Sequence, residues 1–225
     1  MKPQIHDTAI IKGEVFFGNS VQVGAYCILI GPLLVGDNTR IHSHCVIGDE
    51  PEYGDCRPGA GRVVIGHDCT IRSFTTIDRG VGERDTYIGN QCYLMNNAHV
   101  GHDAVIEDNV RFAPRVVIGG HASVLEGTTF GIGAMVLPKL VIGSHCMIGM
   151  GSVVTKNVMP FSLTYGNPAK FQRVNHYKYD TLVAPEQEKG SDIYGEYLAR
   201  FSTFCHEPAV GHIGQEVANW ANYQP

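Results

Sequence analysis

The chain has few charges and no long apolar runs. Charged residues make up 17% of its 225 residues, and the formal net charge is −5 at neutral pH. Its basic residues form no run that could neutralise phosphates, which argues against a general nucleic-acid binder. No stretch approaches the roughly 20 consecutive apolar residues of a membrane span. The first residues lack the apolar run of a signal peptide. These absences predict a soluble cytoplasmic protein without a membrane span.

Glycine and a strict six-residue period are what the chain has instead. It contains 27 glycines, and an aliphatic residue or Phe recurs at every sixth position over residues 5–47, 65–77 and, after a five-residue slip, 88–154. A residue that is nearly always small lies two positions earlier. Three such units would close a triangular coil of 18 residues, and coils stacked about 4.8 Å apart would bury one continuous core. Alternating helices and parallel strands are excluded, because the first 155 residues keep no helical period.

The interruptions of this period define the domain organisation. The repeat predicts a β-helix domain over residues 1–160, with loops at 49–62 and 79–86 where the pattern is lost or shifted. Residues 161–225 form a C-terminal extension in which 192–207 reads as one amphipathic helix. Its apolar face would carry Tyr194, Leu198, Phe201 and Cys205.

Five of the seven cysteines fall in the column of small residues. Buried Cys behaves as a small hydrophobe, so these residues are expected in the core and not in a disulfide framework or a zinc knuckle. They are Cys27, Cys45, Cys69, Cys92 and Cys146. Cys56 lies in the first loop and Cys205 in the tail.

The repeat resembles that of the hexapeptide-repeat acyltransferase superfamily. The segments IHDTAI at 5–10, IRSFTTIDRG at 71–80 and YLMNNAHVGHDAVI at 93–106 are similar to the UDP-N-acetylglucosamine O-acyltransferase family of lipid A biosynthesis. The likeness runs over roughly residues 1–175. It implies an all-β fold, a left-handed parallel β-helix with a short helical C-terminal tail; the left hand is taken from the resemblance, since parallel crossovers are normally right-handed.

The acyl donor stays open at this point. From Phe130 onwards, the segments FGIGAMV, IGMGSVVTKNVMP and GNPAK look more like acetyl-CoA-dependent sugar acetyltransferases. We therefore expect an acyl carrier protein thioester or a coenzyme A thioester as co-substrate, with no bound cofactor and no metal.

Counting coils places a group of chemistry-bearing residues on one edge of the solenoid. The position that His102 has in its coil is held by Gly120 in the next coil, and His121 follows Gly120. In the preceding coil this position is held by Arg79, and Asp78 precedes it. Attack on a thioester by a hydroxyl or an amine needs a base that titrates near neutral pH, which histidine supplies. The full group is His99, His102, Asp103, Gly120, His121, Asp78 and Arg79.

The resemblance implies a role for several of these residues. His102 would be the general base, Asp103 the carboxylate that orients it, and the Gly120 N–H the oxyanion donor. The expected substrate-binding residues are His99, His121, Asp78, Arg79 and Asn97. For the donor we expect Lys156 and Lys170, which could hold the phosphates of coenzyme A.

The chain departs from the family's pattern at positions that contact substrate. Asp78 stands where the family has His, and Tyr53 and Asp55 fall where its first loop has Asp and Lys. Leu137 and Pro138 replace a His-Gln pair. These changes predict the same reaction type with a different acceptor or a different acyl length.

Several functions remain in competition. The first is acyl transfer to a hydroxyl or amine of a sugar nucleotide or a similar small metabolite. The alternative is an acetyl-CoA-dependent sugar N-acetyltransferase. A remote alternative is a zinc-dependent hydratase resembling γ-type carbonic anhydrases, with zinc held by His99, His102 and His121. A scaffold role is the last. The family's three-fold symmetry implies a homotrimer with sites between subunits.

Overall fold

A computed structural model describes residues 1–52, 61–81, 84–189 and 191–206. Its short strands form three sheets, in which each strand pairs in parallel with the equivalent strand of the next coil. The register confirms the predicted coil of 18 residues, since His99 pairs with Val117. The fold is the expected left-handed parallel β-helix.

From β1 to β23 the strands join the three sheets in rotation along the chain, and β24 and β25 both join the first sheet. The first sheet contains β1 (Gln4–Ile5), β4 (Gln22–Val23), β7 (Arg40–Ile41), β10 (Thr70–Ile71), β13 (Tyr93–Leu94), β16 (Arg111–Phe112), β19 (Thr129–Phe130), β22 (Met147–Ile148), β24 (Ser162–Gly166) and β25 (Ala169–Val174). The second contains β2 (Ile10–Lys12), β5 (Ile28–Ile30), β8 (Val46–Asp49), β11 (Thr76–Asp78), β14 (His99–Val100), β17 (Val117–Ile118), β20 (Met135–Val136) and β23 (Val153–Val154). The third contains β3 (Val15–Phe17), β6 (Leu33–Val35), β9 (Val63–Ile65), β12 (Thr86–Ile88), β15 (Val105–Ile106), β18 (Ser123–Val124) and β21 (Val141–Ile142).

The six-residue column forms the core, as predicted. From Val23 to Val154 its members are all nearly inaccessible to solvent. Ile5 and Ile11 are exposed, because the first coil has a neighbouring coil on one side only. Each buried aliphatic side chain contributes about 1.5–3 kcal/mol relative to an exposed one. The five cysteines predicted to be internal are buried and free, and Cys205 is exposed.

The corners between sheets rely on residues with left-handed backbone angles. Asn38, Asn97, Asp103, Asn109 and His121 all have φ between 56° and 61°. Asn, Asp and His tolerate this conformation better than most residues. The backbone therefore turns sharply after each strand. The chemistry-bearing residues lie at these corners.

The two loops expected at 49–62 and 79–86 each fall between consecutive strands. Strand β8 ends at Asp49 and β9 begins at Val63, while β11 ends at Asp78 and β12 begins at Thr86. Thr76 pairs with His99, which places the five-residue insertion in the second loop. Tyr53, Asp55 and Cys56 lie outside the described residues.

The C-terminal extension folds back on the last coils. Strand β24 pairs in parallel with β22 and in antiparallel with β25. Helices α1 (His176–Leu182), α2 (Ala184–Glu188) and α3 (Ile193–His206) follow. No helix in the described part of the chain is long and apolar enough to cross a bilayer.

Helix α3 matches the predicted amphipathic helix but buries a different face at its end. Phe201 and Phe204 pack against the third sheet, in one cluster with Val105 and Leu125. The expectation that Cys205 lies on the buried face is wrong, because Phe204 occupies that position and the Cys205 side chain is exposed.

Candidate active site

The corner between the second and third sheets carries the candidate site. We call it the site edge and define it by residues 78–81, 84–86, 101–104 and 119–122 of three successive coils. The predicted group meets here, because β11, β14 and β17 stack in register. Neighbouring coils in such a stack lie about 4.8 Å apart.

His102 and Asp103 form a hydrogen-bonded pair on this edge. His102 Nδ1 lies 2.7 Å from Asp103 Oδ2, and the carboxylate is fully buried. The Val81 N–H also donates to Asp103 Oδ2, at 3.1 Å, and the Asp103 N–H donates to Thr86 Oγ1 at 2.8 Å. A carboxylate held in this way fixes the orientation of the imidazole and leaves Nε2 available as a base.

Gly120 lies directly against the His102 imidazole. A Cβ placed on Gly120 would be 2.6 Å from His102 Nε2, so a side chain does not fit there. Among the backbone hydrogen bonds of the described residues, the Gly119 and His121 N–H groups each have a carbonyl partner and that of Gly120 has none. A main-chain N–H without a partner, next to an imidazole nitrogen, is the arrangement that an oxyanion donor requires.

His121 completes this part of the edge. Its ring stands nearly perpendicular to that of His102, with the ring centroids 5.0 Å apart. Its Nε2 lies 3.9 Å from Asp103 Oδ2. Burial lowers the pKa of His121, and the charges of His102, Arg84 and Lys139 add to this while that of Asp103 opposes it.

His99 and Asp78 lie on the other side of His102. His99 Nδ1 is 2.8 Å from Thr76 Oγ1, and His99 Nε2 is 3.9 Å from Asp78 Oδ2. Burial lowers the pKa of His99. Burial also raises the pKa of Asp78 to about 7, with the charges of Glu52 and Asp49 adding to it and that of His102 opposing it.

The remaining predicted residues form no hydrogen bond or ion pair with His102 or Asp103 among the described residues. Arg79 forms an ion pair with Glu50, with 2.8 Å between Arg79 Nη2 and Glu50 Oε1. Asn97 is exposed at the preceding corner, between the first and second sheets. Lys156 and Lys170 line one cavity of about 560 Å³ near the C-terminal end of the β-helix.

Arg84 is a residue of the site edge that sequence reasoning missed. Its Nη2 donates to Ser123 Oγ at 3.2 Å, while Nε and Nη1 are buried without a partner among the described residues. Burial lowers the pKa of the Arg84 guanidinium, and the charge of Asp103 opposes this. No periodic signal could have found it, because it lies inside the five-residue insertion.

One group of the described residues could hold a metal ion. His102, Asp103 and His121 offer ligand atoms that lie within 4.8 Å of one another. The group differs from the three-histidine set considered for zinc, because Asp103 takes the place of His99. The same Asp103 oxygen is already hydrogen-bonded to His102.

Comparison with known proteins gives a consistent result. The bacterial transferase hexapeptide (six repeats) family matches residues 85–120. The acyl-(acyl-carrier-protein)–UDP-N-acetylglucosamine O-acyltransferase of Syntrophobacter fumaroxidans is 32% identical over 76% of this chain and 75% of its own length. The enzyme of that name from Campylobacter concisus is 29% identical over 76% of this chain and 73% of its own length. The crystal structure of UDP-N-acetylglucosamine O-acyltransferase from Moraxella catarrhalis is 30% identical, with a TM-score of 0.62, and covers 79% of this chain and 77% of its own.

Fold, repeat and relatives together define the class: the chain is a hexapeptide-repeat acyltransferase. It belongs to the UDP-N-acetylglucosamine O-acyltransferase family, as the resemblance had implied.

Proposed function

We propose that the enzyme transfers an acyl group from acyl carrier protein to a hydroxyl or amine of a sugar nucleotide, with His102 as general base. The observation that carries this proposal is the His102 imidazole, held at Nδ1 by a buried carboxylate and facing the Gly120 main chain with Nε2. The relatives' names supply the donor and acceptor classes.

The geometry supports a simple acyl-transfer sequence. His102 Nε2 takes the proton from the acceptor as its oxygen or nitrogen attacks the thioester carbonyl carbon. The carbonyl oxygen gains negative charge and accepts a hydrogen bond from the Gly120 N–H. The C–S bond then breaks, and His102 returns the proton to the departing sulfur, so that the products are an acylated acceptor and a thiol.

An exposed apolar stripe favours an acyl donor longer than acetyl. On the second sheet, His99 is followed in register by Val117, Met135 and Val153 on successive coils. Val117 and Met135 are exposed, and so is Leu137 at the adjacent corner. A hydrocarbon chain bound along this stripe would cover apolar surface, which is favourable in proportion to the area removed from water.

Lys156 extends the same edge towards the C-terminal end. It follows β23, three coils after His102, which corresponds to about 14 Å at the usual spacing of stacked strands. Lys156 and Lys170 both line the cavity near that end and are both exposed. We propose that they contact the phosphate-bearing arm of the donor, whose thioester then lies near His102.

A transfer assay with paired donors tests this proposal. The purified protein is incubated with acetyl-coenzyme A, or with acyl carrier proteins loaded with acyl chains of several lengths, together with UDP-sugar acceptors. Mass spectrometry follows the mass of the acceptor. We expect transfer from a long-chain acyl carrier protein. Transfer from acetyl-coenzyme A alone would favour the sugar N-acetyltransferase reading, and the absence of transfer from any donor would contradict the proposal.

A further inference from the structure

Asp78 is a buried carboxyl that receives no hydrogen bond from the described residues. The residue is 7% exposed, and Asp78 Oδ2 lies 3.9 Å from His99 Nε2. His99 is itself engaged with Thr76 through its other nitrogen. A buried polar group left unpaired is costly, so this carboxyl is suited to a partner that a ligand brings.

Negative charge accumulates around Asp78. Asp49 pairs with it in the register of the second sheet, and the charge of Glu52 also acts on it. Arg79 follows in the chain, but its guanidinium is taken by Glu50 at 2.8 Å. Asp49, Glu52 and Asp78 form no ion pair with an arginine or a lysine of the described residues, so the part of the edge below His102 favours a positively charged ligand group.

The chemistry of an amine acceptor calls for an additional base. A hydroxyl loses one proton on acylation, and His102 alone can take it. An acceptor ammonium must lose one proton before its nitrogen can attack and a second as the amide forms. Burial holds the pKa of Asp78 at about 7, which suits a group that accepts a proton near neutral pH.

We propose that the acceptor of this enzyme is an amine, and that Asp78 binds its ammonium group and takes the first of its two protons. This inference rests on the proposed function and narrows its acceptor class. Asp78 becomes a neutral carboxylic acid, and the free amine forms the C–N bond to the thioester carbon. His102 takes the second proton and passes it to sulfur as the C–S bond breaks. The products are an amide and a thiol, and Asp78 releases its proton to solvent.

Matched acceptors test this inference. UDP-N-acetylglucosamine is compared with analogues in which one ring hydroxyl is replaced by an amine, using the acyl carrier protein donor that the transfer assay identifies. We expect kcat/KM to favour an amine by at least about tenfold. Asp78→Asn keeps the shape and removes the base, so transfer to the amine should fall by about 100-fold and transfer to the hydroxyl by less than about threefold.

Two further variants show whether the effect is specific to the carboxyl at position 78. Asp78→His restores the residue type that the family has at this position and should shift the preference towards the hydroxyl. Glu14→Gln removes an exposed acid on an N-terminal coil and should change neither rate. Equal use of both acceptors by the wild type, or equal loss of both in Asp78→Asn, overturns the inference while the proposed function stands. Transfer to neither acceptor from any donor overturns both.

Discussion

The residues of the site edge owe their arrangement to the way each corner turns. Asp103 and His121 both adopt left-handed backbone angles, with φ of 56° and 60°. Each follows a residue to which we assign a role in the reaction, His102 in one coil and Gly120 in the next. The turns therefore bring an imidazole, a buried carboxylate and an unpaired N–H together within two coils, without any residue distant in the fold.

Substituting Gly120 tests how tightly this corner is packed. In Gly120→Ala the new methyl group would meet His102 Nε2 at 2.6 Å, so the imidazole must move away from the acceptor and the N–H. We expect kcat to fall by about 100-fold or more, since misplacement of a catalytic group by about 1 Å has effects of that order. Acyl transfer assays at saturating substrate measure it.

Gly133→Ala is the matched control. Gly133 has a φ of +66° and open space around its Cβ position, and it lies at the corner between the first and second sheets. Alanine there should cost about 1 kcal/mol of stability through backbone strain and leave kcat unchanged. Normal activity in Gly120→Ala would contradict the arrangement described for the site edge.

Sequence periodicity predicted the coil, the core and the membership of the site edge. It did so because one residue in six must face inwards in every coil, and that constraint is visible in composition alone. The Arg79–Glu50 pair and the buried Arg84 could not be predicted. Both depend on the paths of inserted loops, and a loop path depends on contacts between coils that no periodic signal records.

Helix α3 is held against the solenoid by charge as well as by its phenylalanines. Arg200 donates to Glu107 at 2.7 Å and lies 3.3 Å from Glu126. His145 contacts the same helix through the Tyr197 hydroxyl, at 3.1 Å. Sequence analysis predicted the helix but not these partners, because they come from three different coils.

Two groups beside this helix oppose each other in their dependence on pH. Burial raises the pKa of Glu107 from 4.5 to about 7, so the folded state gains stability as pH falls through this range. Burial lowers the pKa of His145 from 6.5 to about 4, helped by the charges of Lys178 and Arg200, so the folded state loses stability as pH falls below 6.5.

Replacing Glu107 should make the effect of His145 on the pH dependence of stability visible. In Glu107→Gln, of these two groups only His145 still titrates, and we expect the urea midpoint to drop further between pH 7 and pH 5 than it does in the wild type. Unfolding followed by circular dichroism at both pH values measures it. Parallel shifts in the two proteins would show that Glu107 does not titrate in this range.

The whole molecule presents an apolar surface that a single chain leaves uncovered. Met135 is 44% exposed and Leu137 is 47% exposed on or beside the second sheet, next to the site edge. Exposed apolar patches of this kind mark interaction sites. We predict that the chain forms a homotrimer in which each site lies between neighbouring subunits.

Light scattering tests this prediction on the intact protein. We expect a mass three times that of the chain, and a lower mass for Met135→Asp, because a buried unpaired carboxylate would destabilise the interface. Lys12→Asp serves as the control. It also introduces a carboxylate, but at a position of an N-terminal coil that is exposed and already charged. A monomeric wild type would contradict the trimer and would leave the site edge open to water.

The most direct test of the whole account is the rate of acyl transfer by His102→Ala. If His102 is the general base, kcat should fall by about 10²–10⁴-fold, while the circular dichroism spectrum and the melting temperature stay close to those of the wild type. A variant that folds normally and transfers the acyl group at the full rate would contradict the assignment of His102, and with it the mechanism proposed for this site.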